Sequence, residues 1–279
     1  MTPPISIDGT DITGATIDGT DVQEITVDGD VVFTAETLPV AYFNLVAWYP
    51  FDSAEYGGSN ADDVTAIFNP SQSGDSTAYD GTLIDNPNHL SSGGVTDINA
   101  GSNSGAFDFD GSNDAITAPA QLSGTGDFTV SHWLRFTDSS FSITVDTRSP
   151  GFFVGVNIDI NGPGVAGQIR FFGNDNSSFG SVSPTSNPNL DDGNYHHVVC
   201  VYDSNESTNA RIHIDGSNAL GLDVQNAGLP SGDLWNTFDL GSQSNQAVNF
   251  YDGEIDDVRI YNKALSQSEI NQIYQNTKP

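Results

Sequence analysis

Residues 229–236 set an indole beside a carboxylate and an amide: Asp233, Trp235 and Asn236 follow a Pro-Ser-Gly turn. That combination suits a sugar, whose C–H faces pack on an aromatic ring while its hydroxyls bond to polar neighbours. Phe179, with the Asn-rich stretch 174–189, is a second expected glycan contact. Asp110, Asn113 and Asp114 cluster closely enough to offer oxygens to calcium, which takes about six to eight of them. Nucleophilic chemistry finds less to use. There is no Gly-x-Ser-x-Gly elbow. The single Cys200 lies in the apolar run Val198-Val199-Cys200-Val201, which excludes an intramolecular disulfide and predicts a small core residue. His196 and His197 are adjacent, so a strand turns them to opposite faces, one expected in the core and one exposed. A zinc site would need ligands that the sequence does not pair with them.

These residues need strands and loops to position them, and the sequence is rich in both. Gly and Pro together (29 and 13) mark many turns. Strand-like stretches fall at 43–49, 105–109, 127–136, 141–146, 152–160, 167–172, 195–202, 209–214, 236–241 and 253–261. Between them, 53–104, 173–193 and 217–235 read as long polar loops. One helix is signalled, over about 267–275. Ser266 and Glu269 form a capping box, Leu265 and Ile270 a hydrophobic staple, and Ile270, Ile273 and Tyr274 an apolar stripe. Trp48 and Trp133 lie in core-strand patterns and read as packing residues.

Ahead of this, Asp8-Gly9, Asp18-Gly19 and Asp28-Gly29 recur every ten residues between β-branched neighbours. Asp-Gly is a strong hairpin signal, because a type I′ turn needs positive φ at both central positions. The expectation is a meander of short strands over 1–37, separated from a domain at 38–279 by Leu38-Pro39. Such hairpins are marginal alone and leave edges open. The arm is therefore expected to anchor the chain and to make it a homo-oligomer.

Charge sets the environment. There are 37 acidic and 7 basic residues, net −30, and only six of the acids are Glu. Such self-repulsion destabilises a compact state in dilute buffer. It is tolerable where salt shortens the Debye length to about 3 Å, near 1 M. The chain is expected to be halophilic, with no nucleic-acid partner. Its first residues show neither a signal peptide nor a membrane-spanning run, so no membrane insertion is expected.

Five motifs in order carry a family resemblance over roughly 42–276. They are Trp48-Tyr49-Pro50-Phe51-Asp52 with Tyr79-Asp80-Gly81-Thr82-Leu83; Phe107-Asp108-Phe109-Asp110-Gly111-Ser112-Asn113-Asp114; and Phe128-Thr129-Val130-Ser131-His132-Trp133-Leu134. Then come Asn194-Tyr195-His196-His197-Val198-Val199 and Glu254-Ile255-Asp256-Asp257-Val258-Arg259-Ile260-Tyr261. Together they resemble laminin G-like, concanavalin A-like lectin/glucanase domains. The resemblance implies an all-β fold: a two-sheet antiparallel jelly-roll sandwich with a short C-terminal helix, here preceded by the β-repeat arm. It also implies a structural calcium near the first and last strands, with Asp52, Asp256 and Asp257 in the matching motifs. His132 departs from the family's usual Ala, on the face shared by Val130 and Leu134, and Tyr195 from its usual Trp. Glucanases of this class carry two Glu flanking an Asp on one strand, for a carboxylate pair about 5–5.5 Å apart. Here Arg259 stands where the second Glu would be, so no enzyme is expected.

The reading that joins these features is a non-enzymatic surface structural protein of a halophilic archaeal virus, such as a turret, spike or fibre. It would sit at the virion surface, meeting other virion structural proteins and host-surface glycans. A haloarchaeal cell-surface adhesion module and a purely structural decoration protein are the alternatives.

Overall fold

Asp-Gly punctuation predicts hairpins in the first forty residues, and the backbone pairs accordingly. β1 (Ser6–Ile7) pairs with β2 (Thr10–Asp11), β3 (Thr16–Ile17) with β4 (Thr20–Asp21), and β5 (Glu24–Val27) with β6 (Asp30–Thr34). Among the described residues they form three separate two-stranded ladders rather than the expected meander, each hairpin pairing across its own Asp-Gly. The computed structural model describes the backbone of these strands and then residues 44–51, 60–61, 80–91, 94–95, 105–120, 122–123, 126–148, 155–162, 165–174, 179–207, 209–218, 222–225, 235–243 and 248–279. Contacts divide the chain into Met1–Val40 and Ala41–Pro279.

Among the described residues, the second unit holds two antiparallel sheets and one helix. The eight-stranded sheet runs in the order β10 (Asn88–Leu90), β11 (Ala106–Asp110), β23 (Asp252–Tyr261), β13 (Phe128–Arg135), β18 (His196–Tyr202), β19 (Ala210–Ile214), β20 (Ser217–Asn218). β7 (Leu45–Tyr49) also pairs with β23. The nine-stranded sheet runs β21 (Leu222–Gln225), β17 (Phe179–Pro184), β16 (Ile169–Asn174), β15 (Gly155–Ile160), β14 (Ser142–Asp146), β22 (Phe238–Leu240), β12 (Ala115–Ala118), β9 (Gly81–Ile84), β8 (Asn60–Ala61). Thus β8, β9, β10, β17, β20 and β21 arise within stretches that read as loops. They are short, two to six residues, and apart from the Leu222-Asp223-Val224-Gln225 alternation of β21 they carry little of the apolar pattern that marks a strand.

Inner faces of both sheets meet in a core that includes Phe107, Phe109, Phe128, Phe171, Phe238 and Tyr251. A second cluster lies on the other face of the eight-stranded sheet, where Trp48, Val199, Val201 and Tyr261 pack against Leu265, Ile270 and Ile273. The last two belong to α1 (Gln267–Thr277), whose capping box is formed as expected. Trp133 fixes the helix's far end: its ring stacks on Tyr274 at 5.7 Å and its Nε1 donates to Thr277 Oγ1 at 2.9 Å. Among the described residues, no helix is long and apolar enough to cross a membrane.

β23 carries an irregularity that matters below. Its register with β13 slips between Ser131 and Trp133, and Asp257 takes a left-handed φ of 47°. This bulge lets Ile255 and Val258 both face the core while Asp256, Asp257 and Arg259 are kept off it.

Candidate functional site

In the nine-stranded sheet, every second side chain points away from the core. On β15 these are Asn157 and Asp159; on β16, Arg170 and Phe172; on β14, Asp146; on β22, Asp239. Strand registers align Thr117, Asp239, Asp146, Asn157, Phe172 and Ser181 in one row across six strands.

This outward face is charged yet buried. Asp146, Asp159 and Asp239 are each 0% exposed and Asn157 only 2%. Arg148 forks onto Asp146, with Nε to Oδ1 at 2.7 Å and Nη2 to Oδ2 at 3.0 Å. Arg170 places Nε and Nη2 on Asp159 Oδ2, at 2.9 and 2.8 Å. Both guanidinium groups also approach the half-buried Phe172, at 5.9 and 5.8 Å from the ring centre. Burial pushes the Asp159 carboxyl up to about 6, although Arg170 and Arg148 pull it down. Asp159 Oδ1 and Asn157 Oδ1 are enclosed without a hydrogen-bond donor among the described residues. A buried acceptor left so costs about 1–3 kcal/mol.

Two of the chain's five arginines stand here, and sequence reading passed over them. The signal was the alternation itself. Val156-Asn157-Ile158-Asp159-Ile160 and Ile169-Arg170-Phe171-Phe172 place polar or aromatic groups at every second position of otherwise apolar strands.

The expected ligand residues lie elsewhere. Trp235 is buried in the core, edge-on to Phe128 at 5.4 Å and stacked with Phe238 at 6.3 Å. Its indole is enclosed among core side chains, so a sugar has no face of it to stack on, and the expected platform is corrected to core packing. Asn236 is exposed, and its backbone N–H donates to Thr147 O at 3.0 Å. Asp233 lies outside the described residues; Phe179 is described only as backbone, paired with Asn174.

The carboxylates expected to hold calcium have protein partners. Asp256 accepts from the backbone N–H of Val95 and of Asp257, both at 2.7 Å. Asp257 Oδ1 accepts from Trp48 Nε1 at 2.7 Å and Arg259 Nε at 2.9 Å. These bonds engage three of the pair's four carboxylate oxygens and set the Arg259 guanidinium beside Asp257. Asp52 lies outside the described residues. In the second cluster, Asp110 Oδ1 accepts from Ser112 N at 2.8 Å, Asp114 Oδ2 from Asp110 N at 3.1 Å, and Asn113 Nδ2 donates to Asp85 Oδ2 at 2.6 Å. These are the bonds of a tight turn. Among the described residues, no three His, Cys, Asp or Glu side chains converge as a metal site.

Arg259, where a glucanase would carry its second Glu, is buried with its guanidinium 4.5 Å above the Trp48 ring. Glu254 is held by Arg135 at 3.0 Å and by the Tyr195 hydroxyl. Both positions therefore act as packing and pairing groups. His197 is buried beside Ser131 and Trp133, and His196 is half-buried between Asp192 and Asp215.

Several solved structures share the architecture. Domain 4 of AbnA, a GH43 extracellular arabinanase from Geobacillus stearothermophilus solved with arabinotriose, is 19% identical with a TM-score of 0.55, over 83% of this chain and 98% of that one. The binding domain of botulinum neurotoxin serotype D is 14% identical with a TM-score of 0.57, over 84% of this chain and 52% of that one. The binding domain of Paraclostridial Mosquitocidal Protein 1 is 14% identical with a TM-score of 0.54, at the same coverage. The chain spans about half the length of these toxin structures, and at such identities the likeness is one of fold. No curated protein matches the chain. A family model, Laminin_G_3, described as the concanavalin A-like lectin/glucanases superfamily, matches residues 110–271. That match takes in more than half of the sequence and both sheets of the sandwich, so the chain belongs to the concanavalin A-like lectin/glucanases superfamily.

Proposed function

We propose that this protein is a non-catalytic glycan-binding module, and that the outward face of the nine-stranded sheet is its binding surface. One observation carries the reading: the half-buried Phe172 ring lies beside the guanidinium groups of Arg148 and Arg170, 5.9 and 5.8 Å from its centre, with Arg170 itself half-buried. Sugars offer C–H faces to such a ring and hydroxyl oxygens that accept from guanidinium N–H groups. The arabinanase domain solved with arabinotriose supports it as a neighbour of the same fold. A glycan array probed in about 1 M NaCl should give binding that Phe172→Ala removes. A folded protein that binds nothing on the array ends this reading and favours a purely structural decoration role, which the internal pairing of Arg148 and Arg170 also suits.

The setting we propose is the surface of a halophilic virus particle, as a turret, spike or fibre, with a haloarchaeal adhesion module as the alternative. The net charge of −30 supports brine. The three N-terminal hairpins, each a two-stranded ladder among the described residues, support assembly through the arm. A melting temperature that fails to rise between dilute buffer and molar NaCl removes the first support. An unchanged mass in light scattering after deletion of residues 1–37 removes the second.

A further inference from the structure

The helix α1 covers two histidines. His197 stands on β18 and His213 on β19, on the outward face of the eight-stranded sheet. Val199, in register with His213 and two residues from His197, shares that face and packs with Ile270 and Ile273 of the helix. The His197 ring lies 5.0 Å from Trp133 and 6.1 Å from Tyr274. Its Nε2 meets Ser131 Oγ at 2.8 Å, and its Nδ1 is enclosed without a partner among the described residues. His213 is 2% exposed and faces Gln267 of α1, whose Nε2 donates to Gly216 O in the turn after β19. α1 adds no strand to either sheet, so it can leave without breaking a ladder. We propose that α1 is an acid-released cover: protonation of His197 and His213 ejects it and bares the apolar face formed by Trp48, Trp133, Val199 and Val201.

The physical reason is the company that an imidazolium would keep under the helix. Arg259 of β23 shares a row with Ser131, Val199 and His213, and Arg211 stands two residues before His213. The carboxylates around them are engaged elsewhere: Asp257 by Trp48 and Arg259, Asp215 by His196 and the His197 backbone N–H, Asp203 and Glu206 by Arg211. On α1, Glu269 is bound by Lys263 and the Ser266 backbone N–H, Gln267 and Tyr274 are neutral, and Lys278 sits over the Tyr274 ring. On β13, His132 turns to the core face and meets Thr144. Burial first, then Arg259 and the other histidines, holds His197 well below its usual pKa. Burial, then Arg211, lowers His213 to about 4, with Gln267 opposing. Once uncovered, each ring takes a proton near pH 6.5. The cover is therefore complete above that value, and below it the open fraction grows by up to about tenfold per pH unit for each histidine.

Hydrogen exchange read by mass spectrometry on the full chain, in about 1 M NaCl, tests this. Corrected for intrinsic rates, it compares the opening of α1 with that of the core strands β11 and β16. From pH 5.5 to 4.5 the protection of α1 should fall by roughly fiftyfold, a little short of two full protons because His213 begins to titrate in the closed form. At pH 4.5, α1 should be at least about tenfold less protected than β11 and β16, as a separate opening requires. His213→Gln and His197→Gln each remove one proton from the opening and should each reduce the fall to about tenfold. Either variant serves if the other does not fold. A fall of about tenfold or less in the wild-type chain, or a fall as steep as wild type in a folded single variant, overturns the inference. Equal protection of α1 and the core strands at pH 4.5 also overturns it, because the domain then opens as one.

Discussion

The two sheets both bury residues on the faces turned away from their shared core, and they do so with opposite chemistry. The eight-stranded sheet is covered by α1, and its outward side chains there are Trp48, Trp133, Val199 and Val201. The nine-stranded sheet buries Asp146, Asn157, Asp159 and Asp239 together with Arg148. The sequences show the difference directly. β18 reads as a nearly unbroken apolar run, because a strand covered on both faces has no polar side. β16 alternates buried Ile169 and Phe171 with half-buried Arg170 and Phe172. An apolar cover is maintained by area and packing. A charged cover is maintained only while every partner stays in place, and that difference can be tested.

The largest effect should come from removing the apolar cover. Trp133→Ala deletes the ring stacked on Tyr274 and the donor to Thr277 Oγ1. A loss of about 3–5 kcal/mol is expected from urea unfolding at fixed salt. A loss below about 1 kcal/mol would mean that the helix contributes little to the sheet beneath it.

Next, Asp146→Ala should cost about 3 kcal/mol, because it leaves the buried Arg148 without its counter-charge. Replacing the pair together, Asp146→Leu with Arg148→Met, should recover most of that loss, since an apolar pair of similar volume needs no compensation. If the double variant is as unstable as the single one, the charged face is more than a stability liability and its polar groups hold the sheet itself.

How much of this was legible beforehand follows the same division. The capping box, the staple and the five motifs were readable because they are local, and local pattern survives folding. The buried charged row was not, since it is assembled from β12, β14, β15, β16, β17 and β22, and only register brings Asp239, Asp146 and Asn157 abreast. Trp235 failed as a platform for a related reason. A loop position and polar neighbours describe where a residue lies in the chain, but the indole turns inward and packs in the core against Phe128 and Phe238.

Between the two sheets lies His132, fully buried. Its Nε2 meets Thr144 Oγ1 at 3.1 Å, and that hydroxyl bonds to Ile158 O. Burial lowers its pKa from 6.5 to about 3. The folded state thus prefers the neutral ring, while the unfolded chain takes up a proton below 6.5. Stability from this group is complete above that value and is lost as pH falls toward 3, by about 1.4 kcal/mol per pH unit. Burial raises Asp108, Asp114 and Asp252, which opposes the trend, so the comparison must be with His132→Ala in the same buffers. The stability gap between the two proteins should close steadily from pH 6.5 to 4. A constant gap would show that the core histidine does not resist protonation.

The smallest effect contrasts two adjacent residues. His197, under the helix cover, is held well below its usual pKa by burial. His196, on the opposite face of β18, is raised, first by its bond to Asp215 and then by Asp192. Its Nδ1 lies 2.9 Å from Asp215 Oδ2 and its Nε2 3.2 Å from Asp192 Oδ1, a geometry that only an imidazolium satisfies with two donated hydrogens. A raised folded pKa means that this stabilisation is complete below about 6.5 and is lost as pH rises through the folded value. The site is partly open to water, so the gain is discounted to about 0.5–1 kcal/mol. His196→Gln should therefore lower the melting temperature slightly at pH 6 and leave it unchanged at pH 9. An equal loss at both values would assign His196 a packing role like that of His197, and the contrast across the strand would rest on burial alone.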